Sequence, residues 1–258
     1  MGKVHTMKNR HFLTKDEPML VSMLQAYTPE RVLELMERSR AEGADAFGMQ
    51  FCRMKEQYKT KDTLRALFAA AGDCPGYVTN YRQGENAGKS DDILARELVE
   101  LAECGATLCD VMGDYFDRTE GEMTYDERAI EKQMALIDEI HAAGGEVVMS
   151  SHVLKFIPAE QVLAIALEHQ RRGADICKIV TGASNMEEQI ENLRIVTLLK
   201  KELDIPFLFL SGGESKILRR IGGELGCCMY LCVHEHDELA TAAQPLITEI
   251  RAIRDNMG

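Results

Sequence analysis

The sequence lacks most of the features that mark membrane, secreted and metal-binding proteins. No apolar run approaches the roughly 20 residues that a membrane-spanning helix needs, and residues 1–6 lack the apolar core of a secretory signal. None of the eight cysteines is spaced as Cys-x-x-Cys, and most lie in apolar stretches. We therefore predict a soluble, cytoplasmic chain with free buried thiols, without a zinc site or any other metal.

Positive charge is also in short supply. The chain of 258 residues has 30 lysines and arginines against 42 aspartates and glutamates, which gives a formal net charge of −12 at pH 7. Nucleic acids and anionic membranes are repelled by such a chain, so neither is an expected partner. A local basic pocket for a small anionic ligand is still compatible with an acidic exterior.

What the sequence does contain is a regular alternation of short apolar runs and helical patterns. The predicted strands are residues 19–24, 45–51, 75–81, 107–112, 147–152, 174–180, 205–210 and 227–233. A helix is predicted after each strand, the last one near residues 239–254. This alternation is typical of a (β/α)8 barrel. An open doubly wound sheet is the alternative, but no Gly-x-Gly-x-x-Gly motif follows the first strand.

Capping signals mark where several helices begin. Thr28 precedes Pro29, which suits a cap followed by proline at the first helical position. Thr124-x-x-Glu127 and Ser184-x-x-Glu187 have the spacing of capping boxes, and we expect them to open the helices after strands four and six. The barrel is predicted to form one α/β domain over residues 18–258, with residues 1–17 as a lead-in that caps its bottom.

Two residues able to do chemistry lie on consecutive strands. His152 ends the fifth strand, and Lys178 interrupts the apolar sixth strand. Because the strands of a βαβ unit are parallel, both residues lie near the same end of the sheet. A lysine buried there is expected to have a lowered pKa and to form a Schiff base with a carbonyl, unless it reaches the strand end and pairs with a carboxylate. His152 is either a base or a hydrogen-bonding loop residue.

Other polar residues are predicted at the C-terminal ends of the strands, where such barrels carry their active sites. They are Gln50, Arg82, Asp110 and Ser211, with Arg220 and Gln244 in the loops after strands seven and eight. One amine, one base and two cations able to hold an anion would make a pocket. Either arginine is alternatively a surface ion pair. Ser211-Gly212-Gly213 is either a tight turn or a phosphate-binding nest.

The chain resembles the type I 3-dehydroquinate dehydratases, Schiff-base-forming (β/α)8 enzymes of the shikimate pathway. Ser150-Ser151-His152 is similar to the family's Ser-x-His after strand five. Residues 174–179, Ala-Asp-Ile-Cys-Lys-Ile, are similar to its Ala-Asp-Ile-x-Lys-Ile. The other positions that fall on the family pattern are Ser211, Arg220 nine residues later, Arg82 and Gln244.

This resemblance implies a role for each residue. Lys178 would form an imine with the ketone of a keto acid substrate, and His152 would remove a proton from the adjacent carbon and help the β-hydroxyl leave. Arg220 and Gln244 would orient the substrate carboxylate, and Arg82 a ring hydroxyl. The imine step agrees with elementary chemistry, because a protonated imine acidifies the neighbouring C–H. We also expect a homodimer that needs no cofactor and serves aromatic amino acid biosynthesis.

Three places depart from the family pattern, one of them being Ala240, with Thr241 beside it, in place of a serine near the glutamine. Residues 48–52 read Gly-Met-Gln-Phe-Cys instead of Glu-x-Arg-x-Asp, so Gln50 offers a neutral amide where a guanidinium is expected. The glutamate that pairs with the histidine is replaced by Asn86, with Glu85 one residue earlier, so either is a possible partner of His152 and Glu85 is the candidate catalytic carboxylate. We therefore expect 3-dehydroquinate to be handled less efficiently than by a full-motif enzyme, and a less hydroxylated keto acid to be tolerated.

Two other functions are compatible with these residues. A class I aldolase would use the same strand-six lysine and bind phosphate at Ser211-Gly212-Gly213. A catalytically weak barrel would bind a shikimate-type metabolite as a sensor. Retention of both His152 and Lys178 favours an enzyme, since a pure binder needs neither.

Overall fold

The computed structural model describes residues 12–257 and contains an eight-stranded parallel sheet. The strands are β1 (Met19–Leu24), β2 (Ala46–Gln50), β3 (Gly76–Thr79), β4 (Leu108–Met112), β5 (Glu146–His152), β6 (Ile176–Thr181), β7 (Phe207–Ser211) and β8 (Met229–Cys232). Each is a short apolar run that is buried almost throughout, as expected of strands covered on both faces. All predicted strands are confirmed, with small differences at their ends.

A helix follows each strand on the outside of the sheet. The helices are α1 (Pro29–Ala41), α2 (Lys61–Ala71), α3 (Asp91–Cys104), α4 (Glu127–Ala142), α5 (Ala159–Arg171), α6 (Met186–Glu202), α7 (Leu218–Leu225) and α8 (Ile247–Met257). Apolar residues at helical spacing face the strands; in α3 these include Leu94, Leu98 and Leu101. The predicted (β/α)8 barrel is confirmed.

The sheet curves round until its two ends meet. The strand order is β7-β6-β5-β4-β3-β2-β1-β8, so the last strand pairs with the first. Across the remaining seam, the N–H of Cys228 donates to the carbonyl of Phe207 at 2.9 Å. Phe12 lies at the N-terminal end of the barrel, where its N–H donates to Oε2 of Glu146 at 2.5 Å and its ring meets Tyr77 edge-on. Residues 1–11 of the predicted lead-in lie outside the described residues.

The two predicted capping boxes are wrong in detail, although both helices exist. Asp126 caps α4 by accepting the N–H of Ala129, while the hydroxyl of Thr124 donates to Asp117 instead. Asn185, one residue beyond the predicted serine, caps α6. In both places a neighbouring Asx side chain reaches the free N–H groups better than the hydroxyl does.

The last helix begins later than predicted. Residues near 239 were expected to be helical, but α8 starts at Ile247. The carboxylate of Asp237 accepts the N–H groups of Leu239 and Ala240, at 3.0 and 2.9 Å, and so holds this segment in a turn. Gln244 therefore lies in a loop above β8.

The eight cysteines are free, as predicted, and six of them are buried. Burial raises the pKa of the Cys109 and Cys177 thiols well above its usual range, which keeps them unreactive. Within residues 12–257, no helix is long and apolar enough to cross a membrane. The same residues contain no group of three or more His, Cys, Asp or Glu that could hold a metal ion.

Candidate active site

Lys178 points into the interior of the barrel. Lys178 is only 4% exposed, and its Nζ lies 3.0 Å from the hydroxyl oxygen of Tyr77 on β3. Strands β3 and β6 are not neighbours in the sheet, so their side chains can meet only across the barrel interior. His152 is two residues beyond Ser150, the register partner of Lys178, and therefore lies on the same inward face one layer nearer the C-terminal end. The predicted proximity of His152 and Lys178 is confirmed at the level of register.

The three N–H groups of the Lys178 ammonium all have acceptors. They are the Tyr77 hydroxyl at 3.0 Å, the Tyr81 hydroxyl at 2.7 Å and Oδ2 of Asp110 at 2.9 Å. An ammonium can donate three hydrogen bonds, so the charged form is fully satisfied here. Lys178 thus pairs with a carboxylate, which is one of the two alternatives that the sequence left open. The pair lies buried inside the barrel, however, and not at a strand end.

Asp110, on β4, is the anion of this network and is fully buried. Besides Lys178, it accepts hydrogen bonds from the hydroxyls of Tyr77, Tyr81 and Ser150. Burial alone would raise the pKa of Asp110, but the charges of Lys178 and His152 and these hydroxyl donors outweigh it and lower the pKa. The carboxylate is therefore ionised and holds its lysine partner in place.

His152 is oriented by a residue that the sequence did not indicate. Its Nδ1 lies 2.6 Å from Oε2 of Glu122, in the loop between β4 and α4. Glu122 adopts a φ of 52°, which is uncommon for a residue other than glycine. Its carbonyl accepts the hydroxyl of Ser151 at 2.7 Å, which fixes this backbone beside β5.

The structure does not bring Glu85 or Asn86 to His152. Glu85 is exposed on a 3₁₀ turn after β3. Asn86 is buried, but its amide donates to Asn80 and to the carbonyl of Tyr81 and accepts from Lys59. The expectation that one of them pairs with His152 is corrected, because the loop after β3 turns its carboxylate to the surface and Glu122 occupies the position beside Nδ1.

Arg82 lines the mouth of the barrel, but its guanidinium is already bonded to protein carboxylates. It makes a two-pronged ion pair with Asp91, with both distances at 2.8 Å, and also donates to Oδ1 and the carbonyl of Asp114. Burial alone would lower the pKa of Arg82, but these two carboxylates raise it above its usual range. The arrangement favours the ion-pair alternative, with Arg82 stabilising the loops around the cavity.

On the opposite side of the mouth, the amide of Gln25 contacts the amides of two other glutamines. The side-chain amide of Gln25, just after β1, lies 3.3 Å from Oε1 of Gln244 and 3.1 Å from Oε1 of Gln50, and its nitrogen donates to one or the other according to the orientation of the amide. Gln25 and Gln244 are both buried. The predicted residues Gln50 and Gln244 are therefore brought together, through a glutamine that sequence reasoning missed.

Ser211 faces away from the mouth. It pairs in register with Thr181, three residues beyond Lys178 and so on the outer face of the sheet. Its hydroxyl accepts from Asn192 of α6 at 3.0 Å. The N–H of Gly212 is bonded to the carbonyl of Thr181, so the segment after β7 forms a turn held against β6.

The two arginines of α7 point in different directions. Arg220, the predicted carboxylate ligand, pairs with Glu249 of α8 at 3.1 Å and is partly exposed. Arg219 donates instead to the carbonyl of Ser211 at 3.2 Å, at the C-terminal end of β7. Burial lowers the pKa of Arg219 to about 10, and among the described residues it has no acidic partner.

Strand β2 carries a glycine where the family pattern has a glutamate, and neighbouring side chains fill the space beside that glycine. A Cβ at Gly48 would lie 2.2 Å from the sulfur of Met23 and 3.2 Å from the ring of Tyr77. These two side chains come from the flanking strands β1 and β3. The space beside Gly48, where the family sequence pattern has a glutamate, is therefore filled by a thioether and a phenol.

A cavity of about 500 Å³ opens beside His152 at the C-terminal end of the barrel. Its lining includes Tyr81, Met112, Arg118, Glu122, His152 and Leu154. A second cavity, of about 640 Å³, lies at the opposite end beside Pro206 and Cys228, away from Lys178. The first cavity therefore leads to the reactive groups, and Tyr81 stands between it and Lys178.

Sequence reasoning missed Tyr77, Tyr81 and Glu122. In the sequence, the two tyrosines look like ordinary apolar residues of strand three. Their spacing places both on the same face of the strand, just before Arg82, which is only a weak signal of a function. Glu122 lies in a loop with no motif, so only the folded chain reveals it.

Three comparisons with known proteins show what the chain is similar to. The model of the type I 3-dehydroquinase family matches residues 21–258. A 3-dehydroquinate dehydratase of Alkaliphilus oremlandii is 30% identical over 106 residues, 40% of each chain, and one of Klebsiella pneumoniae is 32% identical over 93 residues, 35% of this chain and 37% of that relative. The matched segments thus span less than half of these relatives. A 3-dehydroquinate dehydratase of Syntrophotalea carbinolica is 26% identical over 205 residues, which are 78% of this chain and 75% of that relative.

Solved structures agree on the fold. That of the 3-dehydroquinate dehydratase from Geobacillus kaustophilus has a TM-score of 0.79 at 19% identity, and covers 94% of this chain and 93% of that one. The enzyme from Enterococcus faecalis gives 0.74 at 20% identity, with coverage of 94% and 95%. At sequence identities this low, the similarity of the structures shows only that the chain has the same barrel fold.

Proposed function

Because this chain belongs to the type I 3-dehydroquinase family, we propose that it is a hydro-lyase that converts 3-dehydroquinate to 3-dehydroshikimate through an imine on Lys178. The observation that carries the proposal is the buried amine of Lys178, bonded to Tyr81, whose ring lies edge-on to His152 with centroids 5.4 Å apart. An amine, a base and a cavity thus converge at the C-terminal end of the barrel.

Lys178 is the nucleophile of the first step. As one proton of its ammonium passes to the ketone oxygen, the nitrogen attacks the carbonyl carbon, and loss of water with a second proton leaves a protonated imine. That imine carries the same positive charge as the ammonium it replaces, so Asp110 stays paired through the reaction. The charge draws electrons from the adjacent carbon and makes its C–H acidic, which prepares the elimination.

His152 carries out the proton transfers of the second step. With Glu122 accepting from Nδ1, Nε2 is left as the basic nitrogen. It takes the proton from the carbon next to the imine and returns it to the departing hydroxyl, which leaves as water. Glu122 thereby replaces Glu85 as the carboxylate that supports the base.

The β7–β8 side is the proposed site of the substrate carboxylate. The family pattern names Arg220 and Gln244, and the geometry adds Arg219 at the end of β7. A carboxylate beside Arg219, which has no acidic partner in the described part of the chain, would compensate its partly buried charge, whereas Arg220 would first have to leave Glu249. Ser211 supports this side through its backbone carbonyl rather than its hydroxyl.

Substrate choice follows from the filled β2 side. Met23 and Tyr77 leave no room there for groups that would hydrogen-bond ring hydroxyls. We therefore propose that a deoxy analogue is discriminated against only weakly compared with 3-dehydroquinate, which kcat/KM for the two compounds would show. Replacement of Gly48 by glutamate would not restore recognition, because its side chain would collide with Met23.

The aldolase alternative loses its expected phosphate site. The N–H groups of Gly212 and Glu214 are bonded to the carbonyls of Thr181 and Ala183, so they are not free to hold an anion. We retain the expectation of a cytoplasmic homodimer that needs no cofactor. Light scattering of the purified chain measures the oligomeric state directly.

Incubation with 3-dehydroquinate tests the proposed function. The conjugated enone of 3-dehydroshikimate absorbs in the near ultraviolet, so its formation can be followed continuously. We expect product from the native chain and none from the Lys178→Ala variant. Binding of 3-dehydroquinate by calorimetry without any product would contradict the hydro-lyase and identify the sensor alternative.

A further inference from the structure

Imine formation requires two protons to move from nitrogen to oxygen. An ammonium and a ketone give a protonated imine and water. The C=O bond is replaced by C=N, and the ketone oxygen leaves with two protons that both come from the ammonium, which keeps one. No proton is taken up or released overall, but each of the two must travel from Nζ to the oxygen. A group that accepts an N–H and donates its own O–H can carry them.

Two of the three groups bonded to the Lys178 amine are of this kind. The hydroxyls of Tyr77 and Tyr81 accept from Nζ at 3.0 and 2.7 Å, and each holds a proton of its own, which it donates to Asp110. An ionised carboxylate such as Asp110 only accepts. The carrier is therefore one of the two tyrosines.

The tyrosines differ in their access to a substrate. Tyr77 is buried beneath the site, with its ring against Phe12 and over Gly48. Tyr81 lines the cavity of about 500 Å³ and touches His152. A ketone that approaches Lys178 from the cavity thus meets the hydroxyl of Tyr81 and not that of Tyr77.

We propose that Tyr81 is a catalytic residue that relays protons from the amine of Lys178 to the departing ketone oxygen. In each transfer its oxygen takes a proton from nitrogen while its own proton passes to the substrate oxygen, so the phenol is restored. In the first transfer, one N–H proton of the ammonium reaches the ketone oxygen while the freed nitrogen electron pair attacks the carbonyl carbon, which gives a carbinolamine protonated on nitrogen. In the second, another N–H proton reaches the hydroxyl as the C–O bond breaks, the freed nitrogen electron pair forms C=N, and water leaves the protonated imine.

The hydrogen-bond count supports this sequence. The ammonium donates three hydrogen bonds, whereas the protonated imine has a single N–H left. If that N–H stays on Asp110, Tyr81 loses its donor and is free to turn to the substrate. Burial and the charge of Asp110 raise the pKa of Tyr81 well above its usual range, which disfavours a free phenolate and favours transfers in which one proton arrives as another leaves.

The relay rests on the imine chemistry of the proposed function, and rapid quenching separates the two. The native chain, Tyr81→Phe and Tyr77→Phe are mixed with 3-dehydroquinate and quenched with sodium borohydride at increasing times, and the reduced adduct is quantified by intact mass. Both substitutions remove one hydroxyl from Lys178 and Asp110, so an electrostatic effect is common to both. We expect Tyr81→Phe to form the adduct about 10²-fold more slowly than the native chain, as for a lost acid/base group, and much more slowly than Tyr77→Phe.

Equal rates for the two variants, or a native rate in Tyr81→Phe, would overturn the relay while leaving the imine intact. Absence of any adduct in the native chain would overturn both the imine and the relay. If Tyr81→Phe does not fold, the native chain is quenched in light and heavy water instead. A relay predicts slower adduct formation in heavy water, and equal rates would refute it.

Discussion

The two halves of the barrel mouth differ in how their polar groups are used. On the β3–β6 side, Lys178, Asp110 and Tyr81 form a closed network in which each charge has its partners. On the β7–β2 side, Gln25 bonds to Gln244 and Arg220 is held by a surface carboxylate, so these groups do not converge on one point.

The difference shows which part of the chemistry is built into the fold. Burying an ammonium and a carboxylate is tolerable only when both are paired and hydrogen-bonded, so the reactive side must be complete in the folded chain. Neutral amides and partly exposed arginines are under a weaker constraint, because leaving an amide unpaired costs less than leaving a buried charge unpaired. The reactive side therefore fixes the kind of reaction, and the recognition side is where the substrate must form new contacts.

After the loss of Lys178 itself, the largest expected effect comes from removing the base on the reactive side. His152→Ala should lower kcat by about 10²–10⁴-fold, the usual contribution of a positioned acid/base, while the imine on Lys178 still forms. Steady-state turnover and borohydride trapping measure the two steps separately. Unchanged turnover would show that His152 is structural.

A matched pair of glutamates serves as the control for this prediction. Glu122→Gln should lower kcat more than Glu85→Gln, because only Glu122 contacts Nδ1 of His152. The reverse order would restore the loop after β3 as the support of the base.

The buried ion pair should dominate stability on the same side. Asp110→Asn leaves the Lys178 ammonium unpaired and should lower the free energy of unfolding by about 3–5 kcal/mol. Adding Lys178→Met should recover much of this loss, which urea unfolding of the single and double variants would show. Additive losses would mean that the two residues are not coupled.

The pH dependence of this contribution has a definite sign. The pKa of Asp110 is lowered in the folded chain, so its contribution is fully present above the usual carboxyl pKa of about 3.9 and is lost as the pH falls through the lowered value. The difference in stability between the native chain and Asp110→Asn should therefore shrink only in strong acid.

A smaller effect separates the two arginines of the recognition side. Arg219→Ala should raise KM more than Arg220→Ala, because Arg219 is partly buried and has no acidic partner among residues 12–257, whereas Arg220 is already paired with Glu249. Initial rates over a range of 3-dehydroquinate concentrations measure both. A larger rise for Arg220→Ala would support the residue that the family pattern names.

The smallest effect concerns the filled interior over β2. Gly48→Ala places a methyl group against Met23 and Tyr77 and should lower stability by about 1–3 kcal/mol, the usual range for overpacking. Gly212→Ala is the matched control, since its added methyl group would lie 4.0 Å from the carbonyl oxygen of Thr181. Thermal unfolding of the two variants compares them, and equal stability would show that Met23 moves aside freely.

The sequence predicted the barrel and its reactive pair because both depend on local pattern. Apolar runs and helical spacing give the strands and helices, and one βαβ unit is enough to bring His152 and Lys178 to the same end. The network around Lys178 could not be predicted, because Tyr77 and Asp110 reach it across the closed interior from distant strands.

The partner of the base was mispredicted for a similar reason. Glu122 reaches His152 because the long loop between β4 and α4 folds back onto β5, with Glu122 at a positive φ. No sequence motif specifies such a loop, whereas Glu85 sits one residue from a recognised position and faces solvent. Arg219 and Arg220 show the same limit, since one residue of shift in a helix turns a side chain to another face.

The most direct measurement of the central claim is borohydride trapping with 3-dehydroquinate, followed by intact-mass analysis and peptide mapping. The account predicts one covalent adduct, located on a peptide that contains Lys178 and absent from Lys178→Ala. An adduct of the same yield in Lys178→Ala, or conversion of 3-dehydroquinate by that variant at the native rate, would contradict it.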